Sequence, residues 1–512
     1  MFEIAELGRK VSKQDYKKLV PSLRVELLAL QQQIRQAKIP VVILFGGVDG
    51  AGKGECVNQL SEWMDPRWME THAYDAPSEE ERSRPPFWRF WRDLPSRGSI
   101  GLFLSAWYSA PILSRVHQQG EWSELDESLS QINRFEKMLV DDGAVVIKFW
   151  MHLSRAAQQR RLKQLEEDPL LRWKVTEKDW YNWRHYDQFI EVAERTMQKS
   201  STGHASWHIV EGEDPRYRSL AVAAIVRDTL VRTLESPVTT VLTAAVEPEG
   251  DGIEGLLDTL NRQPTLVQRL DSHLSLSKQS YKRALKEQQA RLSMLFQRAR
   301  NEGKGDSIIL LFEGDDAAGK GGAIRRITAA LDARSYRVIP IAAPSDEERD
   351  HHYLWRFWRH IPRKGRVTIY DRSWYGRVLV ERVEGFASPQ EWQRAYREIN
   401  DFESHLVESG VLLLKFWIHV DPEVQLARFK LRAETPHKAW KLTDEDWRNR
   451  EKRPQYEQAV DDMIQRTSGA SAPWILVEGN DKYYARIKVL QSVCDQLQAA
   501  LEPSTETGVS HP

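Results

Sequence analysis

A chain of 512 residues is too long for one ordinary hydrophobic core, so two or more domains are expected. A formal net charge of −1 supplies no global field for a polyanion, so any anion must be held by local basic patches. Two cysteines, Cys56 and Cys494, exclude a disulfide framework and a thiolate metal cluster and fit a reducing, cytoplasmic compartment.

In chain order, residues 1–18 mix charges from Glu3 onward and lack the apolar segment of a signal peptide. The apolar run Ile39 to Phe45 is far short of a membrane span and reads as a buried strand, so no membrane partner is expected. It leads into Gly47-Val48-Asp49-Gly50-Ala51-Gly52-Lys53-Gly54, which returns 267 residues later as Gly314-Asp315-Asp316-Ala317-Ala318-Gly319-Lys320-Gly321. The same shift carries Trp88-Arg89-Phe90-Trp91 onto Trp355-Arg356-Phe357-Trp358, Trp107-Tyr108 onto Trp374-Tyr375, Lys148-Phe149-Trp150 onto Lys415-Phe416-Trp417, and Trp207 onto Trp474. So long an ungapped register means two homologous domains, placed at residues 1–235 and 265–501. Residues 236–264 turn Thr-, Glu- and Gly-rich and read as a linker, and residues 502–512 form a polar tail.

The second copy gives the pattern of both. A charged amphipathic helix (Gln279 to Glu302) precedes a β-branched strand (Ser307 to Phe312), the Gly-rich loop and a helix from Lys320 to about Leu331. Further strands are expected at Arg337 to Ile341, Val367 to Tyr370 and Val411 to Ile418. Strands alternating with helices predict an α/β fold, in each copy a parallel sheet flanked by helices. Ligands then bind beyond the carboxyl ends of the strands.

Gly314-x-x-x-x-Gly319-Lys320 follows a strand and opens a helix, as a phosphate-binding loop must. Gly314, Gly319 and Gly321 allow the backbone to approach phosphate, and Lys320 supplies a point charge. Gly321 stands where such loops usually carry a Ser or Thr for Mg²⁺, while Asp315 and Asp316 place acids inside an anion cradle. Both departures make sense if Mg²⁺ sits between Asp316 and phosphate oxygens.

The third strand of this copy runs into Asp371-Arg372-Ser373-Trp374-Tyr375-Gly376-Arg377. An acid at that tip suits a second Mg²⁺ ligand, Asp371, and Arg372 and Arg377 suit bidentate contact with phosphoryl oxygens. Arg356, in the basic segment before this strand, is assigned to phosphate. A second basic region (Arg428, Lys430, Arg432, Lys438, Lys441, Arg448, Arg450, Lys452, Arg453) falls where nucleotide kinases keep a lid, and Arg448 and Arg450 are assigned to phosphate. Interleaved acids make solvated helix faces the alternative for about half of these charges. No nucleic-acid module is present, so no nucleic-acid partner is expected.

The loop Gly314-x-Asp316-x-x-Gly319-Lys320-Gly321, the run Asp371 to Tyr375 and the Trp355-Arg356-Phe357-Trp358 segment together resemble the polyphosphate kinase 2 family, over nearly the whole chain. The resemblance implies tandem P-loop kinase-like domains of thymidylate-kinase-like fold, each with a helical lid, together with Mg²⁺, inorganic polyphosphate and a nucleotide. The two-domain format is similar to the subclass that converts AMP plus polyphosphate into ADP. The residues themselves leave open ADP as acceptor, an ATP-dependent nucleotide kinase, a non-enzymatic polyphosphate or nucleotide sensor, and a homo-oligomer.

The first copy keeps Asp49 and Lys53, but Leu104 replaces Asp371, Ser105 replaces Arg372 and Ala110 replaces Arg377. The expectation is a degenerate first domain and a catalytic second one.

Overall fold

The computed structural model describes residues 1–235, 265–301, 307–435 and 444–502. The expected linker, the tail from residue 503, and Lys438 and Lys441 lie outside the described residues. Two compact units are present: Met1–Pro77 with Arg89–Ala245 and Ser345–His352, and Ser78–Trp88 with Val246–Pro344 and Tyr353–Pro512.

The first unit holds strands β1 (Val41–Gly47), β2 (Met69–Ala73), β3 (Ile100–Leu104), β4 (Val145–His152) and β5 (Trp207–Glu211) in the order β2-β3-β1-β4-β5, every neighbouring pair parallel. The second holds β6 (Ile308–Gly314), β7 (Tyr336–Pro340), β8 (Val367–Asp371), β9 (Leu412–His419) and β10 (Trp474–Glu478) in the order β7-β8-β6-β9-β10, again all parallel. The topology is the same in both, as the repeat predicts. The expected strands fall within one or two residues of those observed. The fifth strand of each copy is an addition: it is a five-residue edge strand, too short for its burial pattern to declare itself in sequence.

The central strands β1 and β6 read as continuous apolar runs because helices cover both faces of each sheet. In the second unit Leu310, Phe312, Ile369, Phe416 and Ile418 form a core with Ile327 and Val489 from the flanking helices. β6 hydrogen-bonds to both β8 and β9, so its carboxyl end opens between them. Gly314, with φ 146°, ends β6 where a Cβ would collide with the Ile418 carbonyl of β9. Only glycine lets the chain turn there into the phosphate loop.

Candidate functional site

The helix Lys320–Thr328 starts at Gly319, in left-handed conformation at φ 113°, with Gly321 in its first turn. A helix start leaves its first amide N–H groups free to bind an anion. Lys320 folds back over the loop, its Nζ donating to the carbonyls of Gly314 (2.6 Å) and Asp315 (3.3 Å). The two loop acids separate in role. Asp315 Oδ2 accepts from the Val420 amide (2.9 Å), with His419 Nδ1 2.8 Å away, so it braces the loop against β9. Asp316 Oδ2 accepts from Asn449 Nδ2 at 2.9 Å, and Oδ1 lies 3.4 Å from Arg372.

At the tip of β8, Arg372 sits at φ 64° with its amide bonded to the Phe312 carbonyl (3.0 Å). That backbone turn aims its guanidinium across the loop toward Asp316 and Glu445 (3.5 Å). Burial works against its charge, but the carboxylates of Asp316, Glu313, Glu445 and Asp371 more than offset this and raise its pKa. Glu313, the residue before the loop, is buried and accepts from Ser373 Oγ at 2.8 Å. Burial holds its carboxyl above the usual range, against the pull of Lys320.

These groups line one cleft. Gly314, Asp316, Lys320, Arg372 and Arg450 of the expected site meet there, with Arg453 beside them. Gln425 orients the last two: its Oε1 accepts from Arg450 (3.0 Å) and Arg453 (3.4 Å) while its Nε2 donates to the Asp316 carbonyl (3.2 Å).

Other expected residues are placed differently. Arg377 pairs with Glu381 at 3.1 Å and stacks on Tyr353, away from the cleft lining. Arg356 donates to the Ala342 carbonyl (2.7 Å). Arg448 pairs with Glu384 (3.1 Å). Asp371 also lies outside the lining, and its carboxylate takes no hydrogen bond or ion pair among the described residues. Arg428, one of the lid cations, braces the loop from below, donating to the carbonyls of Ala317, Ala318, Gly479 and Asn480.

Sequence reasoning missed Glu313, Gln425 and Asn449. The last two carried a usable signal: both recur at the 267-residue shift, and Gln158 and Asn182 make the same contacts to Asp49 (3.1 and 2.8 Å). The motif residues Trp374 and Tyr375 turn out to belong to the fold. Both donate to buried Glu403 (3.0 and 2.7 Å), which also takes Lys415 (2.7 Å), and Lys415 reaches the Thr467 carbonyl. The first copy repeats this network with Trp107, Tyr108, Glu136, Lys148 and the Ser200 carbonyl.

For a divalent cation, no group of three or more His, Cys, Asp or Glu side chains is placed to hold one among the described residues. A small hard cation bound through substrate phosphates needs only one or two carboxylates, its other ligands being phosphate and water oxygens. Asp316, each of whose carboxylate oxygens has one protein partner, and the unengaged carboxylate of Asp371 fit that requirement.

Known proteins share this architecture. The family model described as Polyphosphate kinase 2 (PPK2) matches residues 10–236 and again 275–505. The chain is 48% identical to a polyphosphate:AMP phosphotransferase of Pseudomonas syringae pv. tomato and 49% identical to one of Pseudomonas aeruginosa, covering 98% of this chain and 99% of each relative. A relative of the same name from Acinetobacter johnsonii is 38% identical over 90% of this chain and 91% of its own length. A crystal structure assigned to polyphosphate kinase 2 of Pseudomonas aeruginosa PA01 superposes with a TM-score of 0.84 at 46% identity, covering 98% of this chain and 99% of that one. With the phosphate loop, the arginine-bearing strand tip and the duplication all in place, the chain belongs to the polyphosphate kinase 2 family.

Proposed function

We propose that this protein transfers the terminal phosphoryl group of inorganic polyphosphate to AMP, giving ADP, and that the second copy does the chemistry. The observation that carries the reading is the convergence of Lys320, Arg372, Arg450 and Arg453 on one cleft, in a chain nearly half identical over its whole length to proteins named for that reaction.

The acceptor is a phosphate oxygen, already anionic at neutral pH, so no general base is required. The work is positioning and charge neutralisation. Lys320 is held at the loop mouth by carbonyls that a phosphoryl oxygen can replace. Arg372 offers planar paired donors opposite it, fixed by its strained backbone, and Gln425 aims Arg450 and Arg453 from the lid. Asp316 and Asp371 would hold Mg²⁺, which supplies neutralisation of phosphate charge when bound. Arg377 acts indirectly on this reading, bracing the turn after Arg372 through Glu381.

The first copy has Gly46, Leu104, Ser105 and Trp183 where the second has Glu313, Asp371, Arg372 and Arg450, which leaves its loop without the opposing charges. Both cysteines are free and buried, which supports a reducing, cytoplasmic location.

The test is ADP formation from AMP with Mg²⁺ and either polyphosphate or ATP as donor. Polyphosphate is expected to be the preferred donor. Turnover with ATP alone would replace the reading by an ordinary nucleotide kinase.

A further inference from the structure

The helix Asp444–Glu451 carries three residues of the cleft lining, Glu445, Asn449 and Arg450. Two of its contacts with the core use groups that a phosphate or a cation would claim: Glu445 with Arg372, and Asn449 with Asp316. A third contact lies outside the cleft lining. Arg448 Nε and Lys452 Nζ converge on one oxygen of Glu384, at 3.1 and 3.0 Å. Glu384 directly follows the short helix Val380–Val383 and its side chain is only 5% exposed, so its charge has little water to lean on.

The first copy builds the same junction from other chemistry. The positions matching Glu384, Arg448 and Lys452 are His117, Tyr181 and His185. There the Tyr181 ring packs on both histidines, with centroids 5.3 Å from His117 and 4.3 Å from His185. The three positions thus meet in both copies whatever their chemistry, which marks a lid–core joint rather than a ligand contact.

We infer that Glu384 is a positioning residue: by holding Arg448 and Lys452 it keeps the helix that bears Asn449 and Arg450 over the phosphate loop while substrate draws Arg372 and Asp316 away from Glu445 and Asn449. The inference rests on the proposed phosphotransfer at this cleft. It assigns Arg448 to the joint instead of to phosphate.

The experiment compares the wild type with Glu384→Gln, with Arg448→Met/Lys452→Met, and with all three changes together. It reads kcat, KM for polyphosphate and for AMP, and hydrogen exchange of the ligand-free protein. Each of the first two variants is expected to raise both KM values about tenfold with kcat within about threefold. Each is expected to speed exchange in residues 444–451 while 320–328 stays protected. The combined variant is expected to be no worse than either, because all three side chains serve one joint. Losses that multiply in the combined variant would overturn the inference, since Arg448 and Lys452 would then bind substrate themselves. Unchanged exchange in 444–451, loss of protection throughout the domain, or a fall in kcat at unchanged KM would overturn it equally. If the wild type makes no ADP from AMP and polyphosphate, the proposed function fails while the exchange arm still decides whether Glu384 anchors the helix.

Discussion

The two copies share a backbone and differ in what faces the ligand. In both, the loop lysine caps the carbonyl at the end of the central strand, at 2.6 Å to Gly47 or Gly314. In both, an asparagine from the lid holds the loop aspartate, a glutamine holds its carbonyl, and a buried Lys–Glu–Tyr network ties the strand tip to a helix-end carbonyl, Ser200 or Thr467. Even the left-handed backbone after the third strand survives, at Ser105 (φ 54°) as at Arg372 (φ 64°). What disappears from the first copy is the charge around the loop and strand tip, Asp371, Arg372, Arg450 and Arg453, and with it the buried pair of Glu313 and Ser373, replaced together by Gly46 and Ala106. Polar groups that satisfy buried partners are kept because removing one strands another. Where both partners change together, as with Glu313 and Ser373, neither is stranded.

The comparison can be broken first at its shared part. Lys415→Met and Lys148→Met each leave a buried glutamate without its cation and should cost about 3–5 kcal/mol of the stability of the copy concerned. Separate denaturant unfolding of each variant measures this, and a large loss in only one copy would show that the network is not common property of the fold. Next comes the part that differs. Arg372→Ser installs the first copy's residue in the second and should lower kcat/KM by about 10²–10³-fold, with the melting temperature nearly unchanged. Asp316→Asn and Asp371→Asn should each lower activity about 10–100-fold and raise the Mg²⁺ needed for half-maximal rate, as expected of residues near a metal rather than of ordinary surface acids. An unchanged magnesium titration in both variants would assign the metal elsewhere.

The smallest effect is in pH. Burial raises the Glu313 pKa above its unfolded value, so between the two values the folded state holds the extra proton. Stability contributed by the protonated form is therefore present below the unfolded pKa and falls as pH rises from there toward the folded pKa. Glu313→Gln should flatten that decline in a pH series of thermal melts. The first copy, with Gly46 in this place, has no counterpart to it.

Repeat, loop and strand tip were legible in the sequence because glycine spacing, apolar runs and a constant 267-residue shift are local signals. The loss of Arg372 and Asp371 from the first copy followed from that register alone. Partner choice was not legible. Arg356, Arg377, Arg428 and Arg448 look alike as cations near a phosphate site, yet tertiary packing hands them a carbonyl, Glu381, four carbonyls and Glu384 respectively. Trp374 and Tyr375 look like part of a catalytic motif, yet their polar atoms close a buried network. Asn449 and Gln425, neutral residues on helices, read as surface until the fold brings them to Asp316.

The central claim is that one loop of the two transfers phosphate. The direct measurement is the initial rate of ADP formation from AMP and polyphosphate with Mg²⁺ in Lys320→Ala and in Lys53→Ala, each checked for an intact thermal melt. Lys320→Ala should lose about 10²–10³-fold in kcat/KM, while Lys53→Ala should stay within about twofold of wild type. Equal losses in the two folded variants would contradict the account, because both copies would then be working sites.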